Sequence, residues 1–136
     1  MRIALLVMTI CCGVGFAMGF KGTAVLSAAD KVEKPGRVLR HVVMYKFRAD
    51  MTAAQVQEVV DAFQGMVKQI DAVVGFEYGP NLSKEGKSDG LTHVFCVSFK
   101  DESGRDAYLA HPAHAAYAKF AKDRREKVVV VDYWGG

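Results

Sequence analysis

The sequence predicts an α+β domain: a four-stranded antiparallel sheet with its helices gathered on one face. Two observations lead there. Apolar residues switch between a period of two and a period of three to four, in the order strand, helix, strand, strand, helix pair, strand. The chain is 136 residues long, with 24% charged and 51% hydrophobic residues, which suits one globular domain.

The front of the chain stands apart from that domain. Residues 3–20 carry no charge, follow Arg2, and run into the small-residue exit Ser27-Ala28-Ala29. This is a secretory signal pattern over residues 1–29, cleaved after Ala29, and it implies export to a periplasm or to the outside. The competing reading is an uncleaved membrane anchor, since the run is close to the minimum length for a span. Residues 30–37, broken by Pro35-Gly36, read as a polar tether, and the domain proper is expected over residues 38–134.

Leu39 to Arg48 alternates, with Leu39, His41, Val43, Tyr45 and Phe47 on the more apolar side. Thr52 and Gln55 have capping-box spacing and Met51 with Val56 forms a hydrophobic staple, so a helix starts there. Val56, Val59, Val60, Phe63, Met66, Val67 and Ile70 give it one apolar stripe to lay on a sheet. Val73–Gly79 is a second strand and Leu91–Phe99 a third, joined by a turn-rich polar loop ending Ser88-Asp89-Gly90. Asp101 or Ser103 can cap the next helix. Pro112 cannot continue a helix from behind but fits a first turn, so one helix ends near His111 and another runs to about Arg125. On that reading Tyr108 and His111 share a face at i, i+3. Glu126–Trp134 closes the chain as a fourth strand. The order is that of ferredoxin-like split βαβ folds.

Charge and cysteine content narrow the function. Without residues 1–29 the chain loses Arg2 and Lys21, leaving 16 basic and 15 acidic residues, a net charge of +1. That argues against a nucleic-acid partner, which needs a concentrated basic face. Lys119, Lys122, Arg124, Arg125 and Lys127 cluster, but without interleaved aromatics they read as a solvated face. Past the leader only Cys96 remains, in a strand, so no disulfide framework or cysteine metal site can form. His111 and His114 have no nearby carboxylates to complete a metal site, and none is expected.

The sheet's second face needs cover. Val42 and Met44 point opposite to Val43 and Tyr45, Val94 and Cys96 opposite to Phe95 and Val97, and Val128–Val131 is apolar on both sides. At roughly 25 cal/mol per Å² of apolar surface, leaving that face wet forfeits several kcal/mol. A second copy covers it most simply, so a homodimer with two sheets face to face is predicted: a dimeric α/β barrel.

His41-Val42-Val43-Met44-Tyr45-Lys46-Phe47, Asn81-Leu82-Ser83, Ser88-Asp89-Gly90-Leu91-Thr92-His93, Tyr108-Leu109-Ala110-His111-Pro112-Ala113-His114 and Glu126–Tyr133 together resemble the stress-responsive dimeric α/β-barrel (Dabb) family, over residues 39–133. The resemblance implies the ferredoxin-like fold and the barrel homodimer. Enzymatic members are plant polyketide cyclases, which close a linear polyketide by an intramolecular aldol reaction with no cofactor. Their Tyr and His correspond to Tyr108 and His114 here, while His41 and His93 match positions near the pocket mouth. Where the cyclases carry a large aromatic, this chain has Arg125. If that position lines the cavity, a cation favours an anionic ligand over a long apolar one.

His114 can then serve as a general base and Tyr108 as a hydrogen-bond donor to a developing oxyanion. The candidate binding residues are His41, Val43, Tyr45, Phe63, His93, Phe95, His111 and Arg125. Three readings stay open: a small-molecule-binding, stress-associated barrel; a cofactor-free lyase, isomerase, cyclase or dimeric-barrel oxygenase; and a scaffold whose interior is filled by side chains. An open pocket favours the first two, a filled one the third.

Overall fold

A strand as apolar as residues 39–47 calls for neighbours on both edges, and it has them. The computed structural model describes residues 36–136; the expected leader and the tether up to residue 35 lie outside the described residues. In order come β1 (Val38–Phe47), α1 (Ala53–Val67), β2 (Val73–Pro80), β3 (His93–Phe99), α2 (Glu102–Ala110), α3 (Pro112–Lys122) and β4 (Arg125–Gly135). The sheet order is β2-β3-β1-β4, with every neighbouring pair antiparallel. This is the ferredoxin-like split βαβ arrangement.

Local chemistry sets the helix ends. The Thr52 hydroxyl accepts from Gln55 N at 3.3 Å, and Gln55 Oε1 accepts from Thr52 N at 2.8 Å, closing the expected capping box of α1. Of the two candidates for the next cap, Asp101 takes the role, its carboxylate accepting from Gly104 N at 2.9 Å. His111 separates α2 from α3 in an extended conformation, φ −71° and ψ 138°, as a residue before proline prefers.

All three helices pack on the same face. Phe63 of α1 stacks on Phe95 of β3 with ring centroids 4.3 Å apart. Tyr108 of α2 lies 5.2 Å from Phe99, and Tyr117 of α3 meets Phe63 at 4.9 Å. Leu39, Val43, Tyr45, Phe47, Val59, Phe95, Val97 and Phe99 complete this core. The opposite face carries Val42, Met44, Val94, Cys96 and Val129, all half-buried, with Val131 and Tyr133 still 47% and 50% exposed. Arg40 bonds Ser98 and Glu77 across that face.

Some boundaries moved. The third strand begins at His93 rather than Leu91, because Leu91 N is drawn to Ser88 O at 2.9 Å in a turn where Asp89 and Gly90 have φ of 50° and 76°. The third helix ends at Lys122, not near Arg125. Arg124 donates to Phe120 O at 2.6 Å and lies over the Phe120 ring at 3.9 Å, which closes that helix end. Arg125 consequently starts β4 beside Phe47, so the basic cluster is divided between a helix and a strand instead of forming one solvated face.

Candidate functional site

The helices leave a gap where α2 and α3 pass over β1 and β4. There a cleft of about 360 Å³ opens, lined by His41, Val43 and Tyr45 of β1, Arg125, Val128, Val130 and Asp132 of β4, Tyr108 and Leu109 of α2, His114, Tyr117 and Ala118 of α3, and Phe63 of α1. Its wall is mostly apolar with a few converging polar groups, the usual make-up of a small-molecule site. An open cleft of this kind does not fit the filled scaffold. A larger hollow of about 530 Å³ lies by the 81–91 loop. Its charges are spent on one another, Lys127 with Asp89 and Lys87 with Glu85.

Tyr108 and His114 meet in the cleft with ring centroids 4.7 Å apart, although they belong to different helices. Pro112 makes this possible: it starts α3 at once after the His111 corner, so His114 on its first turn comes back beside Tyr108. Burial raises the Tyr108 phenol well above its usual range, with the Tyr45 phenol adding to the shift. Tyr108 therefore stays a protonated donor. Burial also lowers His114, the neighbouring His41 lowers it further, and Arg125 adds to this against an opposing pull from the Leu109 carbonyl. His114 is accordingly a neutral imidazole near pH 7.

His41 is the third polar group. Its Nδ1 lies 2.6 Å from Asp132 Oδ1, directly across the β1–β4 pairing, and its ring is 5.6 Å from Tyr108. A carboxylate only accepts, so Nδ1 carries the proton and Nε2 is left as the ring's free position. Asp132 is held in turn by Arg105, whose Nη1 donates to Oδ2 at 3.2 Å. On the other side of the cleft the Tyr45 hydroxyl accepts from Tyr117 at 3.3 Å and from Arg125 Nη1 at 2.8 Å.

The cleft thus brings together Tyr108, His114, His41, Val43, Tyr45, Phe63 and Arg125 of the sequence candidates. Three do not line it. His93 and Phe95 sit on β3, on the far side of β1 from the opening. Phe95 is sealed beneath Phe63, and His93 packs edge-on against Phe47 at 5.0 Å with Nδ1 3.0 Å from Thr92 Oγ1. His111 is consumed as the cap of α3, its Nδ1 accepting from Ala113 N at 3.1 Å. The expected Tyr108–His111 face-sharing fails because α2 stops at Ala110, one residue short. Asp132 and Tyr117 escaped sequence reasoning. The only signal for Asp132 was an acid interrupting a valine run, and its partner is set by a strand register.

A ferredoxin-like sheet with an apolar outer face and, beneath its helices, a cleft lined by a phenol and two imidazoles defines the class: a small α+β domain of the ferredoxin-like kind. The chain belongs to the stress-responsive A/B barrel domain (Dabb) family, whose model matches residues 39–135. It is 28% identical over 95 residues to the stress-response A/B barrel domain-containing protein HS1 of Arabidopsis thaliana, covering 70% of this chain and 87% of that one. Olivetolic acid cyclase of Cannabis sativa is 27% identical over 95 residues, covering 70% of this chain and 94% of its own. A dimeric ferredoxin-like protein of unknown function from Jannaschia sp. superposes with a TM-score of 0.60 at 26% identity, covering 71% of this chain and 97% of that one.

Proposed function

We propose that the chain works as a homodimer whose cleft binds a small molecule bearing a carbonyl group, and that Tyr108 and His114 move a proton on it without a cofactor. The approach of these two rings to 4.7 Å carries the reading, because their surroundings hold one as a protonated donor and the other as a neutral base. His114 takes a proton from the carbon next to the carbonyl, and the Tyr108 hydroxyl donates to the oxygen that gains charge. The imidazolium then returns its proton to the carbon skeleton. Similarity to a cyclase supports the reaction class. The apolar outer face and dimeric relatives support the homodimer.

The test uses the keto acid 4-oxo-4-phenylbutanoate in D₂O, with deuterium entry beside the carbonyl followed by NMR. Wild type should exchange it faster than buffer, and His114→Ala should lower that rate by about 10²–10⁴-fold while leaving stability nearly unchanged. Exchange that never exceeds buffer at saturating ketone, or that ignores His114→Ala, removes the enzyme reading. A ligand retained in native mass spectrometry without exchange leaves a binding protein. Export is part of the same proposal and rests on the leader sequence. A mature N-terminus at Asp30 in the exported fraction supports it, and an intact chain in the membrane fraction supports the anchored alternative.

A further inference from the structure

The cleft has charges at both ends, and they are not equivalent. Asp132 is fully engaged: Oδ1 faces His41 Nδ1 at 2.6 Å and Oδ2 accepts from Arg105 at 3.2 Å. Arg125 is not. It donates from Nη1 to the neutral Tyr45 hydroxyl at 2.8 Å and lies 4.9 Å from that ring, and among the described residues no carboxylate pairs with it. A guanidinium has five N–H donors, so most of its fork remains for water or a ligand. The other ionisable groups lining the cleft do not answer it. Tyr108 and Tyr117 are phenols that burial keeps protonated, and His114 is uncharged near pH 7.

We propose that Arg125 makes this cleft selective for ligands carrying a carboxylate, so that the compound bound is a keto acid rather than a neutral ketone. The inference rests on reading the cleft as the ligand site. A molecule filling about 360 Å³ displaces water from the guanidinium. A neutral occupant leaves the cation desolvated and without a counter-charge, whereas a planar carboxylate meets its fork with two parallel charge-assisted hydrogen bonds. His41 with Asp132 occupies the opposite end, four residues along β1 from Tyr45, a distance of about 13 Å at the usual strand rise. Tyr108 and His114, rings 4.7 Å apart, line the same cleft, and both His41 and Arg125 act electrostatically on His114. A carboxylate anchored at Arg125 therefore extends its chain toward Tyr108 and His114, and the charged group fixes which carbonyl is presented.

The experiment compares two probes of nearly the same shape, 4-oxo-4-phenylbutanoate and its primary amide, by titration calorimetry on the full-length protein. Wild type should bind the acid at least about tenfold tighter than the amide, a difference that shrinks with added salt. Arg125→Gln should bring the two affinities together, Arg125→Lys should keep part of the gap, and His114→Ala should keep all of it. Equal binding of acid and amide by wild type overturns the proposal without any variant, and so does a preference that survives Arg125→Gln. Failure of both probes to bind overturns this inference together with the cleft reading. A clear preference for the acid with no proton exchange upholds the anion site and removes only the proton-transfer chemistry.

Discussion

Replacing Asp132 tests the polar end of the cleft most directly, because two variants separate its charge from its shape. Asp132→Asn keeps an acceptor for His41 Nδ1 but removes the charge from a bond of 2.6 Å. His41 has a side chain only 7% exposed and Asp132 one 30% exposed, so solvent weakens this pair only in part. A hydrogen bond to a charged group contributes about 1.5–3 kcal/mol and a neutral one about 1, so the amide should cost about 1 kcal/mol. Asp132→Ala leaves a buried imidazole N–H and the Arg105 guanidinium without their shared partner, and should cost about 2–3 kcal/mol. Urea unfolding at one fixed protomer concentration measures both, since a dimer's stability depends on concentration. The tautomer offers a second readout: ¹⁵N spectra of His41 should show Nδ1 protonated in wild type and a mixture in Asp132→Asn, where the amide can turn either end toward the ring. An alanine variant no less stable than the asparagine one, with an unchanged His41 tautomer in both, would refute the idea that Asp132 holds this ring.

Acid should weaken the fold through His114 and His93, whose burial lowers each below the ordinary 6.5. The unfolded chain then binds more protons than the folded one, so stability falls as pH drops from about 6.5 through the lowered folded values, and denaturant midpoints measured across that window check it. Over the same range proton exchange on the ketone should fall as His114 is protonated, with an acid limb below 6.5; a limb above 6.5 contradicts the neutral-base assignment. Phe63→Ala removes a ring that is 1% exposed and stacked at 4.3 Å on Phe95, so it should cost about 3–5 kcal/mol in urea unfolding, and a cost under about 1.5 contradicts this packing. Val131→Glu places a charge on the outer sheet face and should weaken self-association by about 100-fold or more, read as a halved mass by light scattering at a concentration where wild type is dimeric.

What could be read from the chain was what neighbouring residues decide. Thr52 and Gln55 lie three apart and satisfy each other's backbone, so the start of α1 was visible without any tertiary information. Pro112 announced the α2–α3 corner for the same reason, and the alternation of β1 separated the helix-facing residues from the outer ones correctly. The candidate site was less legible because its members meet through long-range geometry. His41 and Asp132 are 91 positions apart and become partners only because β1 and β4 pair in one register and not the next. His111 was misassigned on a single residue, the one by which α2 falls short. Arg125 had two readings in the sequence, one of a solvated basic cluster and one of a cavity-lining cation, and only the early end of α3 and the bond to Tyr45 place it in the cleft.

The two halves of the proposed function converge on β4, and its alternation explains why. Val128, Val130 and Asp132 face β1 residues Tyr45, Val43 and His41 on the cleft side, while Lys127, Val129, Val131 and Tyr133 alternate onto the outer face. An edge strand of valines is an invitation to unwanted pairing unless something occupies it. Here each face has its own use: one floors a cleft whose polar groups need fixed positions, and the other offers the apolar surface that a second copy can cover. In the proposed homodimer, burial of the outer side would clamp the strand that holds Asp132 against His41. Such a dimer would stiffen a site it does not touch, because freedom lost by Val129 and Val131 would be lost by the residues between them. Strand β3 shares the outer face through Val94 and Cys96, but no cleft opens over its other side, where Phe95 is covered by Phe63 of α1 and His93 packs on Phe47. That difference accounts for polar chemistry gathering at β4 and β1 while β3 remains core.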